Sequence, residues 1–187
     1  MIKRGDKKKF KDFVTQIKNN PYSYYYLKTT LQKLKNENID INTQSYNGDT
    51  LLHIAIKLKN LRMLKMFLKA GVNPNLANES GNTPLHQAVL TNQIDFVKAL
   101  VSSGCDLNMG AELEQTPLHL AVINGNLDIV KYLVEQGADF MLIDEMSNFP
   151  IDYAIDEGDL KMIKFFSQIQ TLDDVRKDKL LSLERNM

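Results

Sequence analysis

Apolar residues recur along most of this chain in short groups whose members lie three and four residues apart. Two successive groups contain Leu85, Ala88, Val89, Ile94, Val97, Leu100 and Val101. This spacing places the apolar side chains of each group on one face of an α-helix, with polar residues on the other face. The pattern therefore predicts pairs of short amphipathic helices joined by tight turns.

The same helical pair returns with a fixed period of 33 residues. The segments that open the unit are 48–55, 81–88 and 114–121, with a fainter copy at 147–154. The segments that close it are 68–73, 101–106 and 134–139. One unit is too small to bury its own apolar face, so successive units must stack on one another.

Local signals set the ends of the predicted helices. Thr83 and Thr116 are favourable N-cap residues, and the proline after each suits the first helical position, where no backbone N–H is needed. The second helix of a unit ends at a glycine, which takes the left-handed conformation at low cost. These glycines are Gly71, Gly104 and Gly137.

The Thr-Pro-Leu-His-x-x-Ala and Gly-x-Asp/Asn elements at this period resemble ankyrin repeats, over about residues 21–170. The resemblance implies an all-α solenoid of stacked helix–turn–helix units with helical caps at both ends. The predicted boundaries are an N-terminal cap and half repeat at 1–44, ankyrin repeats at 45–77, 78–110 and 111–143, a degenerate repeat at 144–170, and a C-terminal capping helix at 171–187.

Three histidines are the first candidates for chemistry, since imidazole is a common metal ligand and general base. His53, His86 and His119 occupy one position in successive units, and Asp152 occupies it in the fourth. In ankyrin repeats this histidine makes structural hydrogen bonds that tie one loop to the next. Stacking would also hold the rings too far apart to share an ion, so we expect neither a metal site nor a cofactor.

No motif in the sequence indicates catalysis. A glycine-rich phosphate loop, a nucleophile elbow and a metal-ligand helix are all missing, and the single cysteine, Cys105, stands where other units have small packed residues. We therefore predict a protein that is not an enzyme and has no small-molecule substrate. One cysteine and the absence of an export signal or membrane-spanning stretch suggest the cytoplasm, or the host cell cytosol for a secreted effector.

The balanced net charge conceals an asymmetry along the chain. Residues 1–69 contain 15 Lys and Arg against 5 Asp and Glu, whereas residues 70–170 contain 4 against 14. Such a dipole either steers a charged partner or maintains solubility. The basic N-terminus could contact phosphates or anionic lipid, but we expect neither nucleic acid nor a membrane as the partner. Asp156, Glu157 and Asp159 form either a solvated face or a docking patch for a basic partner.

Family resemblance implies that partners contact a concave surface made of the hairpin tips and the exposed face of the first helices. Transferred by repeat phase, the predicted contacts are Tyr46, Asp49, Lys57, Leu58, Glu79, Asn82, Leu90, Thr91, Glu112, Leu113, Gln115, Ile123, Asn124, Met146, Asn148, Asp156 and Glu157. Leu58, Leu90 and Ile123 are apolar where a scaffold tolerates polar residues. They form either a binding strip or contacts packed under neighbouring loops.

The predicted function is a non-enzymatic protein–protein interaction module that binds a partner protein or peptide through this concave surface. The alternative is a regulatory or neutralising subunit, such as an enzyme inhibitor or a bacterial effector that binds host proteins. The repeat pattern alone does not name the partner.

Overall fold

The computed structural model describes residues 4–20 and 23–169, and every regular element in these two ranges is a helix. The α-helices are α1 (Arg4–Asn19), α2 (Tyr24–Asn36), α3 (Leu51–Lys57), α4 (Leu61–Lys69), α5 (Pro84–Leu90), α6 (Ile94–Val101), α7 (Pro117–Ile123), α8 (Leu127–Glu135), α9 (Pro150–Asp156) and α10 (Leu160–Ser167). A 3-10 turn at Glu112–Glu114 precedes α7. The all-α solenoid expected from the sequence is confirmed.

The helices form two layers. The first helices of the units, α3, α5, α7 and α9, pack side by side, and we call them the inner helices. The second helices, α4, α6, α8 and α10, follow them and are called the outer helices; α4, α6 and α8 pack in the same order. The apolar core lies between the layers, where Leu85, Leu100, Leu118 and Leu133 are fully buried. Each unit therefore covers the apolar face that its neighbour cannot bury alone.

The predicted helix starts are present as reciprocal caps. Thr83 accepts a hydrogen bond from the backbone N–H of His86, and the His86 ring accepts one from the backbone N–H of Thr83. Thr50 and Thr116 are arranged in the same way. In the fourth unit the backbone N–H of Phe149 donates to Asp152 at 2.9 Å, so the aspartate replaces the histidine at this cap.

Asparagines in the loops form a ladder that the sequence analysis missed. The side-chain oxygens of Asn42, Asn75 and Asn108 each accept the backbone N–H of a residue 31 positions later, at 2.8, 2.9 and 2.9 Å. These three residues share the 33-residue period, and Met141 takes the same position in the fourth unit. The ladder thus joins the first three loops to the loops that follow them.

The N-terminal segment forms α1 and α2, which add to one end of the core. Phe10, Phe13 and Ile17 of α1 are buried, as are Leu27 and other apolar residues of α2. The predicted C-terminal capping helix at 171–187 lies outside the described residues.

Glycines confirm the predicted left-handed positions, and one of them also allows two tips to approach. Gly71, Gly104 and Gly137 have φ values of +89°, +79° and +93°. Gly48, at the first hairpin tip, has φ +73°, and a Cβ there would come within 2.5 Å of the backbone nitrogen of Glu79 in the next tip. Only a residue without a side chain fits between these two backbones.

We expect Gly48→Ala to lower the free energy of unfolding by about 2 kcal/mol, because it adds a backbone clash to the cost of a left-handed alanine. Gly71→Ala is the matched control: its φ is similar, but nothing lies within 4 Å of the new Cβ. Its cost should stay near 1 kcal/mol. Urea unfolding of both variants measures the difference, and equal losses would contradict a close contact between the tips.

Candidate protein-binding surface

The three histidines are structural ties between successive loops. In each, Nδ1 accepts the backbone N–H of the capping threonine, so the ring is neutral and Nε2 carries the proton. Nε2 then donates to a backbone carbonyl of the next tip: His53 to Asn82 at 2.9 Å, His86 to Gln115 at 3.1 Å, and His119 to Asn148 at 3.1 Å. The loop-tying role expected for these residues is confirmed.

Burial lowers the pKa of all three histidines. The pKa of His86 falls to about 4, and burial of the ring is the main cause. Hydrogen bonds to backbone carbonyls oppose the shift without cancelling it. A protonated ring would also point an Nδ1 proton at the threonine N–H, which is itself a donor. The folded state therefore favours neutral imidazole.

Within residues 4–20 and 23–169, no three His, Cys, Asp or Glu side chains are grouped as metal ligands. We expect thermal unfolding curves recorded with and without a chelator to coincide, because each histidine nitrogen already has a protein partner. A shift of several degrees on adding the chelator would contradict the structural assignment of the histidines.

Cys105 is a packed side chain and a poor nucleophile. It is 7% exposed, and burial raises the pKa of its thiol to about 12, with a further contribution from the adjacent Asp106. The thiolate is the reactive form of cysteine, and so raised a pKa leaves almost none of it near neutral pH. The expectation that Cys105 fills space is confirmed.

Four exposed aliphatic side chains lie at the tips and the inner-helix ends of the second, third and fourth units. Leu90 and Ile123 are the last residues of α5 and α7, and they are 44% and 42% exposed. Leu113 and Met146 stand at the third and fourth tips, 39% and 60% exposed. These positions belong to consecutive units, and the units are neighbours in space because α5 packs against α7 and α7 against α9. We call the four residues the apolar strip.

The first unit does not continue the strip, and two of the predicted contacts, Leu58 and Asp49, are less exposed than expected. Leu58 lies one position after the equivalent of Leu90, at the C-cap of α3, and is half-buried against the core. The equivalent residue is Lys57, whose Nζ lies 2.6 Å from Oδ2 of Asp49. Asp49 is buried and also accepts a hydrogen bond from Asn78. Its carboxylate is therefore committed within the protein, and Leu58 is not an exposed anchor.

The other predicted contacts divide by exposure. The exposed ones are Tyr46, Lys57, Glu79, Leu90, Thr91, Glu112, Leu113, Ile123, Asn124, Met146, Asp156 and Glu157. Asn82, Gln115 and Asn148 are half-buried, and their carbonyls accept the histidine N–H groups. These three therefore hold the tips in place, whereas the exposed set is accessible to a partner.

The third tip has a costly backbone. Leu113 and Glu114 have φ values of +57° and +55°, although neither is glycine. A left-handed residue with a side chain costs about 1–2 kcal/mol, and a bulky one is an outlier. The backbone N–H of Glu145 donates to the carbonyl of Leu113 at 3.0 Å, which links the third tip to the fourth.

A polar network between the last two units was not predicted. Tyr153 donates its hydroxyl hydrogen bond to the carboxylate of Asp144, and Nε2 of Gln115 donates to the same hydroxyl at 3.1 Å. Although burial opposes it, the pKa of Asp144 is lowered by hydrogen bonds from Tyr153 and from backbone N–H groups. The available signal was Tyr153 itself, which stands where the other units have Ile54, Gln87 and Leu120.

In the part of the chain that is described, no helix has the length and apolar character needed to cross a membrane. The stacked helical pairs, reciprocal caps and histidine ties together define a helical repeat protein with an exposed tip-and-helix face. The profile of the family described as "Ankyrin repeats (3 copies)" matches residues 22–111 and 109–176. The chain belongs to the ankyrin-repeat family.

Two similar proteins come from species of the genus Latrodectus. Alpha-latrotoxin-Lg1a of Latrodectus geometricus is 38% identical over 66 residues, and Alpha-latrotoxin-Lt1a of Latrodectus tredecimguttatus is 41% identical over 44 residues. The matches cover 35% and 24% of this chain but only 5% and 3% of the two toxins. The similarity therefore extends over a small share of each toxin.

Proposed function

We propose that this chain is a non-enzymatic interaction module that binds a partner protein through the concave surface formed by its tips and inner helices. Ankyrin repeats are in general protein–protein interaction modules, and the family is typically non-enzymatic. The fold does not identify the partner, so the argument for the surface depends on particular residues of this chain. We place its action in the cytoplasm, a compartment consistent with its single, buried thiol.

The observation that supports this surface is the apolar strip. Leu90 and Ile123 are exposed at equivalent positions of adjacent inner helices, and Leu113 and Met146 are exposed on tips of consecutive units. Neighbouring exposed apolar groups with a polar border are typical of a binding surface, whereas single exposed leucines need no explanation. The left-handed backbone of Leu113 adds support, because costly conformations concentrate at functional sites.

The test uses the Leu90→Glu/Ile123→Glu double variant in affinity capture from native lysate. Each substitution should weaken partner binding by about 2 kcal/mol or more, because a charge replaces an apolar contact. Both positions are exposed, so each should change the free energy of unfolding by no more than about 0.5 kcal/mol. Leu160→Glu is the control, since Leu160 is 47% exposed at the start of outer helix α10.

Capture by the wild type and the control but not by the double variant is the expected result. Unchanged capture by the double variant would refute the surface. A large fall in its urea midpoint would instead show that these side chains contribute to the core, which would remove the argument as well. If the captured partner is an enzyme and its activity falls when it is mixed with this chain, the module acts as an inhibitor.

A further inference from the structure

We propose that the apolar strip receives a lysine- or arginine-rich amphipathic helix of the partner protein. This inference rests on the proposed function, because it specifies the occupant of the same surface. It concerns the charge and the form of the bound segment, which the ankyrin fold leaves open.

Cationic residues are confined to one face of the repeats that carry the strip. Glu79, Glu112 and Glu145 occupy one tip position in three consecutive units, and all three are exposed. Asp156 and Glu157 add exposed acidic groups at the end of α9. All Lys and Arg residues between positions 70 and 169 lie on outer helices; they are Lys98, Lys131, Lys161 and Lys164. The border of the strip is therefore acidic, and a cationic segment complements it.

Helix α1, which adds to one end of the core, is a lysine-rich helix that packs beside a tip and an inner helix of this chain. Helix α1 is rich in lysine, and Nζ of its Lys11 lies 5.9 Å from the ring centroid of Tyr46, at the first tip. A cavity of about 240 Å³ between α1 and the first repeat is lined by Lys11, Val14, Tyr46 and Ile54 among others. Ile54 of α3 is 3% exposed, whereas the equivalent Leu120 is half-buried. The packing of α1 thus gives, within this chain, an example of a cationic amphipathic helix in contact with a tip and an inner helix.

The spacing of the strip also fits a helix. Packed helices lie about 8–10 Å apart, so Leu90 and Ile123, at equivalent positions of α5 and α7, are separated by about that distance. Seven residues of an α-helix rise about 10.5 Å and return to nearly the same face after two turns. A partner helix along the stack would place apolar side chains i and i+7 on these two residues. Cations on the side of this helix nearer the tips would lie towards the acidic end of the strip, where Glu112 adjoins Leu113 and Glu145 adjoins Met146.

The probe is a synthetic helix of about 15 residues, with leucine at i, i+3 and i+7 and lysine at most other positions. A second peptide carries glutamate in place of lysine. Fluorescence anisotropy measures their binding to the full chain and to three variants. The variants are Glu79→Gln/Glu112→Gln/Glu145→Gln on the tips, Asp95→Asn/Asp128→Asn/Glu135→Gln on the outer helices, and Leu90→Ser/Ile123→Ser. The first two variants change the net charge equally.

The lysine peptide should bind the wild type at least ~10-fold more tightly than the glutamate peptide does at low ionic strength. The tip variant should lose about 10-fold in affinity for it and the outer-helix variant less than about 2-fold. Equal losses in these two variants would overturn the inference, because attraction would then reflect net charge alone. Failure of the lysine peptide to bind would overturn it too.

Two outcomes separate this inference from the proposed function. If the glutamate peptide binds as tightly as the lysine peptide and Leu90→Ser/Ile123→Ser weakens both, the strip is a docking surface but its occupant is not cationic. If the serine variant binds the lysine peptide as the wild type does, the strip is not the docking surface. The proposed function is tested separately, by whether the native partner is captured by the Leu90→Glu/Ile123→Glu variant.

Discussion

Lowering the pH from 7 to 4 should remove about 3 kcal/mol from the free energy of unfolding through His86 alone. The pKa of this buried ring is about 4 in the folded protein and 6.5 without burial. Between these values the unfolded chain binds a proton that the folded chain does not, so acid favours unfolding. The contribution of His86 is complete above about pH 6.5 and falls as the pH drops towards 4.

His53 and His119 act in the same direction, because burial lowers their pKa values as well. Asp144, whose folded pKa lies below the ordinary 3.8, begins to destabilise the protein only at still lower pH. The loss between pH 7 and 4 is therefore assigned mainly to the histidine ties. Urea unfolding at several pH values measures it.

His86→Gln is the control for this prediction, because glutamine does not titrate. Its free energy of unfolding should depend less steeply on pH between 6.5 and 4 than that of the wild type. The difference in slope corresponds to the uptake of up to one proton on unfolding. If the free energy of unfolding has the same slope against pH in the variant and the wild type, the assignment of His86 as a buried neutral ring is wrong.

His86→Ala should cost about 3 kcal/mol of stability at neutral pH. His86 is fully buried, with 0% of its surface accessible to solvent. Its removal leaves a cavity and deprives two groups of a partner, namely the buried N–H of Thr83 and the half-buried carbonyl of Gln115. An unpaired buried polar group is costly because water does not replace the lost hydrogen bond.

Gln87→Ala is the matched control for this substitution. Gln87 is the next residue of α5, is half-buried, and should change stability by no more than about 0.5 kcal/mol. A partner that binds the tips should keep its specificity for the His86 variant at temperatures where the variant is folded. Full stability together with loss of a specific activity would show that His86 is functional and not structural.

The fold was predictable because its determinants are local and repeated. The cap formed by Thr83 and His86 joins residues three positions apart, and Pro84 between them suits the same helix start. Each signal recurs after 33 residues, so weak local preferences reinforce one another along the chain. The histidine ties followed from the family resemblance, and the structure contains them.

The exposed surface was less predictable, because exposure depends on single positions at helix ends. Leu58 and Leu90 differ by one position in the repeat, and one residue rotates a helix by about 100°. Asp49 is committed to Lys57 and Asn78, which lie 8 and 29 residues away. Spacing alone does not reveal such a pair. The asparagine ladder, by contrast, was visible in the sequence as Asn42, Asn75 and Asn108.

The asparagine ladder also gives the two ends of the array different hydrogen-bonding groups, because each unit offers an acceptor to the unit that follows it. In each rung the asparagine side-chain oxygen of one unit accepts the backbone N–H of the following unit, so all three hydrogen bonds run in the same direction along the array. Met141 ends this series because a thioether is only a weak acceptor. A consensus unit grafted in register after the fourth would meet an unpaired N–H at this junction. Engineers who lengthen the array should therefore begin with Met141→Asn, which restores a rung worth about 1 kcal/mol.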